Sequence, residues 1–230
     1  MQVEVVEGRF FGAAVADEIV SLAGQVEREK IAIALSGGST PAEVYRNLVV
    51  EPRVSEMPWD KTVFFLGDER WVPITDSQSN FFMAQDTFLE QVPKTKAFPV
   101  VGRTAEEAAT EYEKLIKTHL GENPVFNIVL LGLGDDGHTA SLFPNSPLLK
   151  EDSTRLVASC THPESGQKRI TFMPRLIQSA ERILVLVKGK NKAKILSSAL
   201  TRGNTLPISI LDKAKGKITY FVDTEAAAEL

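Results

Sequence analysis

Ile31-Ala32-Ile33-Ala34-Leu35-Ser36-Gly37-Gly38-Ser39-Thr40-Pro41 is the stretch that decides the fold. Its first five residues are apolar throughout, without the polar alternation of a half-exposed strand. That pattern predicts a parallel strand covered on both faces. Two glycines then let the backbone turn tightly. Thr40 is placed to cap a helix and Pro41 to fill its first position. Ala42, Tyr45 and Leu48 continue the chain at helical spacing.

The same alternation recurs outward from this segment. Short β-branched runs stand at residues 3–6, 63–66, 128–131, 183–187 and 218–222. Helical patterns lie between them. Phe11, Val15, Ile19, Leu22 and Val26 share a face, and Thr104 with Glu107 forms a capping box ahead of Tyr112, Leu115 and Ile116. Residues 190–200 place Ala193, Leu196 and Leu200 on one side. Strand alternating with helix predicts an α/β layered fold with a mostly parallel sheet. No repeat, low-complexity stretch or linker divides the chain, so residues 1–230 are expected to form one domain. The weakest candidate boundary is the loop at 161–167.

Composition narrows the function classes. The formal net charge is −4, from 26 basic and 30 acidic residues, with no basic stripe. Nucleic-acid binding is therefore not expected. No apolar run approaches the roughly 18 residues of a membrane span, and the start at Met1-Gln2-Val3-Glu4-Val5 has no leader pattern. Cys160 is the single cysteine, which precludes an intramolecular disulfide and suits a reducing compartment. The expectation is a cytoplasmic protein, monomeric or a small homo-oligomer, acting on a small molecule.

In parallel sheets, ligands bind beyond the carboxyl ends of the strands. Gly37, Gly38, Ser39 and Thr40 sit at such an end, where free helix amides favour a phosphate. The same glycines also serve turn geometry alone, and both readings stay open. The spacing G-x-x-x-x-G-K-[ST] is absent, so one phosphate fits better than a nucleoside triphosphate. After the run at 63–66 comes Gly67-Asp68-Glu69-Arg70-Trp71-Val72-Pro73. Arg70 there suits a carboxylate, a phosphate or a developing oxyanion. Ser79 is placed to cap a helix, with Phe81, Phe82 and Met83 as core.

The run at 128–131 leads into Gly132-Leu133-Gly134-Asp135-Asp136-Gly137-His138-Thr139-Ala140-Ser141-Leu142-Phe143-Pro144. Its G-x-G-x-x-G match lacks the following helix of a dinucleotide site, because Pro144 and Pro147 interrupt. The better reading is a glycine-rich turn presenting His138 as a general base, with Asp136 fixing its tautomer. His119 and His162 have no such setting. One histidine with two aspartates is a weak metal set, and Ser141 lacks G-x-S-x-G. Arg169 and Lys192 are later cations. Lys192 opens a helix, where the dipole disfavours a cation unless an anion is near.

Taken together, these segments resemble the glucosamine-6-phosphate isomerase/6-phosphogluconolactonase family. The resemblance rests on Ser36-Gly37-Gly38-Ser39-Thr40-Pro41, Gly67 through Pro73, Ser79-Asn80, Gly132 through Pro144, Arg169-Ile170-Thr171 and Gly189 through Ala193. It implies a Rossmann-like three-layer α/β fold and, in its lactone-hydrolysing branch, conversion of 6-phosphogluconolactone to 6-phosphogluconate without a cofactor. It implies that the 36–40 loop, Arg169 and Lys192 hold the phosphate, that His138 is the base, and that Arg70 is the site's arginine. Asp68 joins the substrate-binding candidates, and whether it or Asp136 supports His138 stays open. The family's deaminase branch is the rival. It carries a histidine-assisting glutamate where this chain has Phe143, and an aromatic where this chain has Arg70. A non-catalytic sugar-phosphate sensor is the third alternative.

Overall fold

The computed structural model describes residues 1–92, 94–150 and 154–230. In chain order its strands are β1 (Gln2–Val6), β2 (Ile31–Leu35), β3 (Thr62–Leu66), β4 (Asp68–Arg70), β5 (Lys96–Ala97), β6 (Ile128–Gly132), β7 (Val157–Thr161), β8 (Lys168–Phe172), β9 (Arg182–Val187) and β10 (Lys217–Asp223). Its helices are α1 (Phe11–Gly24), α2 (Ser39–Leu48), α3 (Arg53–Glu56), α4 (Asn80–Thr87), α5 (Ala105–Leu120), α6 (Pro174–Gln178) and α7 (Ala193–Leu200).

Seven strands form the central sheet in the order β1-β10-β9-β6-β2-β3-β5, and every pairing in it is parallel. β2 lies near the centre, with Ile33 opposite Phe64 on β3 and Ile128 on β6. All five residues of β2 and of β3 are buried, and all but Thr62 are apolar, as a sheet flanked by helices on both faces requires. The α/β reading therefore holds, with the central sheet wholly rather than mostly parallel. Among the described residues no helix is long and apolar enough to cross a membrane.

A second, antiparallel sheet of order β4-β8-β7 was not anticipated. It pairs Asp68 with Thr171 and Arg70 with Arg169. Its strands escaped notice because β4 is only Asp-Glu-Arg and β8 opens with Lys-Arg, so neither shows a clear strand period. Gly67 makes the bend between the sheets: its amide bonds the Leu35 carbonyl at 2.8 Å while its own carbonyl accepts from Phe172 N at 2.8 Å. The loop at 161–167 is the turn joining β7 to β8.

Two buried tyrosines fix the strand ends that face the site. The Tyr45 hydroxyl donates to Ser36 O at 2.8 Å and accepts from Ser36 N at 2.9 Å. Tyr112 accepts from Leu66 N at 2.6 Å and donates to Phe98 O at 3.2 Å. Burial pushes both phenols well above their usual range, so they remain neutral donors. Sequence spacing alone places both only on the apolar faces of their helices.

Helix starts differ in detail from the sequence reading. α2 begins at Ser39 with Gly38 as its N-cap, so Thr40 lies inside the first turn and is not the cap. Gly38 has φ +105°, which glycine adopts at little cost. Residues 190–192 form a 3-10 turn before α7 begins. Ser79 caps α4 through Phe82 N, and Thr104 caps α5 through Glu107 N, as expected. Glu107 reaches back to Arg103 N, one residue short of a reciprocal box.

Candidate active site

The carboxyl ends of β2, β6 and β9 and the edge of the small sheet enclose a cavity of about 330 Å³. Gly37, Gly38, Ser39, Thr40, Asp68, Arg70, His138, Arg169 and Lys192 all line it. Asp136, the remaining sequence candidate, stands behind His138 and outside the wall. Asn80, Asp135 and Lys188 also line the cavity; none had been given a role. Lys188 directly follows the last residue of β9, so the rule about strand carboxyl ends had the means to find it.

The α2 end of the cavity is a bare helix start. No side chain caps α2, and glycine at 38 has no side chain to give. Amides of the first turn are thus left to face the cavity with the helix dipole behind them. Gly37 must be glycine for a separate reason, since a Cβ there would lie 2.0 Å from Asn80 Oδ1.

The small sheet supplies the arginines. Their residues pair across β4 and β8, which places two cations on one wall. Glu69 anchors this strand: its carboxylate accepts from Arg70 N, Asn80 N, Phe81 N and Ser79 Oγ at 2.7–2.9 Å. Burial nevertheless pushes its carboxyl upward against those four bonds. Glu69 is a strut between β4 and the start of α4 and does not line the cavity. Arg70 donates to Gln78 O at 2.7 Å, and Arg169 stands 4.0 Å from Asp68. Burial, then the Arg70 charge, lowers the Arg169 pKa, with Asp68 opposing. Among the described residues, the buried side-chain polar atoms without a partner are Arg70 Nε, Arg169 Nε and Asn80 Oδ1. All three belong to cavity-lining residues, and two are arginine donors left without an acceptor.

His138 occupies the β6 end. Its Nδ1 lies 2.6 Å from Asp136 Oδ1, which also accepts its backbone amide at 3.0 Å. Burial raises the Asp136 carboxyl, but the two His138 bonds and the imidazole charge outweigh it and hold it below the usual carboxylate range. An ionised Asp136 keeps the proton on Nδ1 and leaves Nε2 as the acceptor. Asp136 is the aspartate in contact with the ring, whereas Asp68 accepts from Ser141 Oγ at 2.7 Å. Ser141 is fully buried, so the serine holds Asp68 and is not displayed as a nucleophile. Phe143 packs on the imidazole at 5.0 Å between centroids and also meets His162 at 4.8 Å. Among the described residues no group of three or more His, Cys, Asp or Glu is placed to hold a metal ion.

At the β9 end, Lys188 pairs with Glu43 and Lys192 with Asp135, each at 2.6 Å. Fold and cavity together define a Rossmann-like α/β protein whose cavity is lined by two arginines and two lysines beside Asp68 and Asp135. Comparison with known proteins gives the particular lineage. The family model for glucosamine-6-phosphate isomerases/6-phosphogluconolactonase matches residues 10–220. The 6-phosphogluconolactonase of Treponema pallidum is 42% identical over 177 residues, covering 74% of this chain and 73% of that protein. That of Synechocystis is 38% identical over 215 residues, covering 89% and 86%. Among solved structures, 6-phosphogluconolactonase from Trypanosoma cruzi superposes with a TM-score of 0.88 at 31% identity, covering 100% of this chain and 96% of that one. A monomeric glucosamine-6-phosphate deaminase reaches a TM-score of 0.83 at 22% identity, a likeness of fold alone. The chain belongs to the glucosamine-6-phosphate isomerase/6-phosphogluconolactonase family.

Proposed function

We propose that this chain hydrolyses 6-phosphogluconolactone to 6-phosphogluconate in the oxidative pentose phosphate pathway, in the cytoplasm, with His138 as general base. One observation carries the reading: an imidazole backed by a carboxylate lines the same cavity as a bare helix start and two arginines with unsatisfied donors. A phosphorylated lactone needs both ends at once, an anion cradle and a base near a carbonyl.

The 37–40 amides, Arg169 and Lys192 hold the phosphate, and Asp68 steadies Arg169. His138 Nε2 takes a proton from water as the oxygen attacks the lactone carbonyl carbon. The resulting oxyanion is met by Arg70. Collapse breaks the bond from that carbon to the ring oxygen, which takes the proton back from the imidazolium and leaves a carboxylic acid that ionises. Asp136 stabilises the imidazolium in between. This scheme uses no cofactor.

The deaminase reading has less support here. Position 143, where that branch carries its assisting glutamate, is a buried phenylalanine packed on the His138 ring. The test is acid release from freshly made 6-phosphogluconolactone, corrected for spontaneous opening, with ammonia release from glucosamine 6-phosphate alongside. His138→Ala should lower kcat by about 10²–10⁴-fold while the thermal midpoint stays close to wild type. Wild-type turnover in that variant, or ammonia release without lactonase activity, overturns the assignment.

A further inference from the structure

We propose that Asp135 is a displaceable counter-ion to Lys192 that weakens the site's grip on phosphate-bearing ligands. The idea rests on the reading that Lys192 contacts the substrate phosphate.

The cations of the cavity are not alike in their partners. Arg70 and Arg169 each keep a buried Nε with no acceptor. Lys192, in contrast, already holds an acid: its Nζ lies 2.6 Å from Asp135 Oδ1, and Asn191 Nδ2 approaches the same oxygen at 3.4 Å. The pair is asymmetric. The lysine side chain is mostly buried, at 21% exposed, whereas the Asp135 side chain is 75% exposed. Asp135 and Lys192 line one cavity, so an incoming phosphate and the Asp135 carboxylate compete for the same ammonium. Because Asp135 reaches into water, it can release Lys192 by a side-chain rotation without moving the backbone.

Two chemical consequences follow. A phosphate bound at Lys192 must displace or share with a negative charge, which lowers affinity for every phosphate-bearing ligand, substrate and product alike. The product carries the same phosphate as the substrate plus a new carboxylate. A resident acid beside the phosphate position therefore opposes retention of the product. Asp135 neighbours Asp136 in sequence, but its carboxylate turns to Lys192 and not to the imidazole, so its effect should fall on binding.

The experiment uses the full chain and isothermal titration with three probes: 6-phosphogluconate, inorganic phosphate and gluconate. Asp135→Asn keeps the shape and removes the charge. It should tighten 6-phosphogluconate and inorganic phosphate by about fivefold, the scale of an exposed ion pair. Gluconate, which lacks the phosphate, should not respond. The gain should shrink at high salt, and Asp135→Glu should restore weak binding. In turnover assays Asp135→Asn should lower KM for the lactone, with kcat held or lowered by slower product release. A purely structural role would instead raise KM. Unchanged or weaker phosphate binding in Asp135→Asn overturns the proposal. Lys192→Ala separates the two layers: if it leaves phosphate binding untouched, the phosphate role of Lys192 itself has failed. If it weakens binding while Asp135→Asn does not strengthen it, only the counter-ion proposal has failed.

Discussion

Gly134→Ala is the sharpest probe of the His138 assignment, because the structure makes a methyl group at 134 act on one side chain. Gly134 does not have a positive φ, so alanine meets no backbone strain there. A Cβ built at that position lies 2.1 Å from His138 Nδ1, 2.2 Å from Cε1 and 2.7 Å from Cγ. Ordinary contact begins near 3.4 Å, so the ring must retreat by more than about 1 Å. That retreat breaks the 2.6 Å contact with Asp136. Loss of one half-exposed hydrogen bond costs about 1 kcal/mol of stability. Loss of the base costs about 10²-fold or more in turnover. The expected result is a folded protein whose kcat approaches that of His138→Ala, read by progress curves on fresh lactone and by thermal melting. The two changes act on one group, so the double variant should be no slower than His138→Ala alone. A Gly134→Ala enzyme with wild-type kcat would refute the reasoning. So would a double variant slower than either single one.

Three further expectations concern neighbouring groups. Ser141→Ala removes the 2.7 Å bond to buried Asp68 and should cost about 1–3 kcal/mol of stability by denaturant titration, yet retain measurable turnover; complete loss in a folded variant would reinstate a serine nucleophile. Arg169→Ala should raise KM for the phosphorylated lactone more than Lys192→Ala, since Lys192 already shares its charge with Asp135; equal loss toward a non-phosphorylated lactone would contradict a phosphate role for either. Glu113 supplies the pH test: burial raises its carboxyl, but Lys117 and the Leu156 and Val157 amides outweigh this and hold it below its ordinary value of 4.5. A carboxyl depressed on folding contributes stability above its unfolded pKa that is lost as pH falls through the folded one. Unfolding free energy should therefore decline below about pH 4.5, and Glu113→Gln should flatten that decline; identical slopes would remove Glu113 from the account.

What was legible in the sequence follows from how each element advertises itself. β2, β3, β6 and β9 are buried on both faces, so their apolar runs were visible without knowing their partners. The loops after them held most of the site residues because the carboxyl edge of a parallel sheet is where chains leave the core. The small sheet was not legible: β4 and β8 are recognisable as strands only once they pair, and nothing local shows that Arg70 faces Arg169. Asn80 was hidden for a related reason. Its Nδ2 donates to the Asp68 carbonyl at 2.8 Å, a contact set by the docking of α4 and not by sequence spacing. The start of α2 was misplaced because capping preferences favour Thr40, whereas the chain uses Gly38 and leaves the first turn without a side-chain cap.

The glycine cap of α2 carries physical meaning. A side-chain cap satisfies the first amides of a helix and adds stability; a glycine cap forgoes this and leaves donors exposed. The same concession appears at the arginines, whose Nε atoms are buried without acceptors, and again at Glu69, a buried carboxyl that burial pushes upward despite four donors. Local rules of stability are broken at these places, and the helix start and both arginines line one cavity, with Glu69 behind the arginine strand. Elsewhere the rules hold, as with Ser79 and Thr104 at their helix starts. The lysines at the β9 end fit the contrast, each neutralised by an acid at 2.6 Å. Affinity for an anion should therefore come chiefly from the bare helix start and the arginine wall, with Lys192 released into that task only when a phosphate arrives.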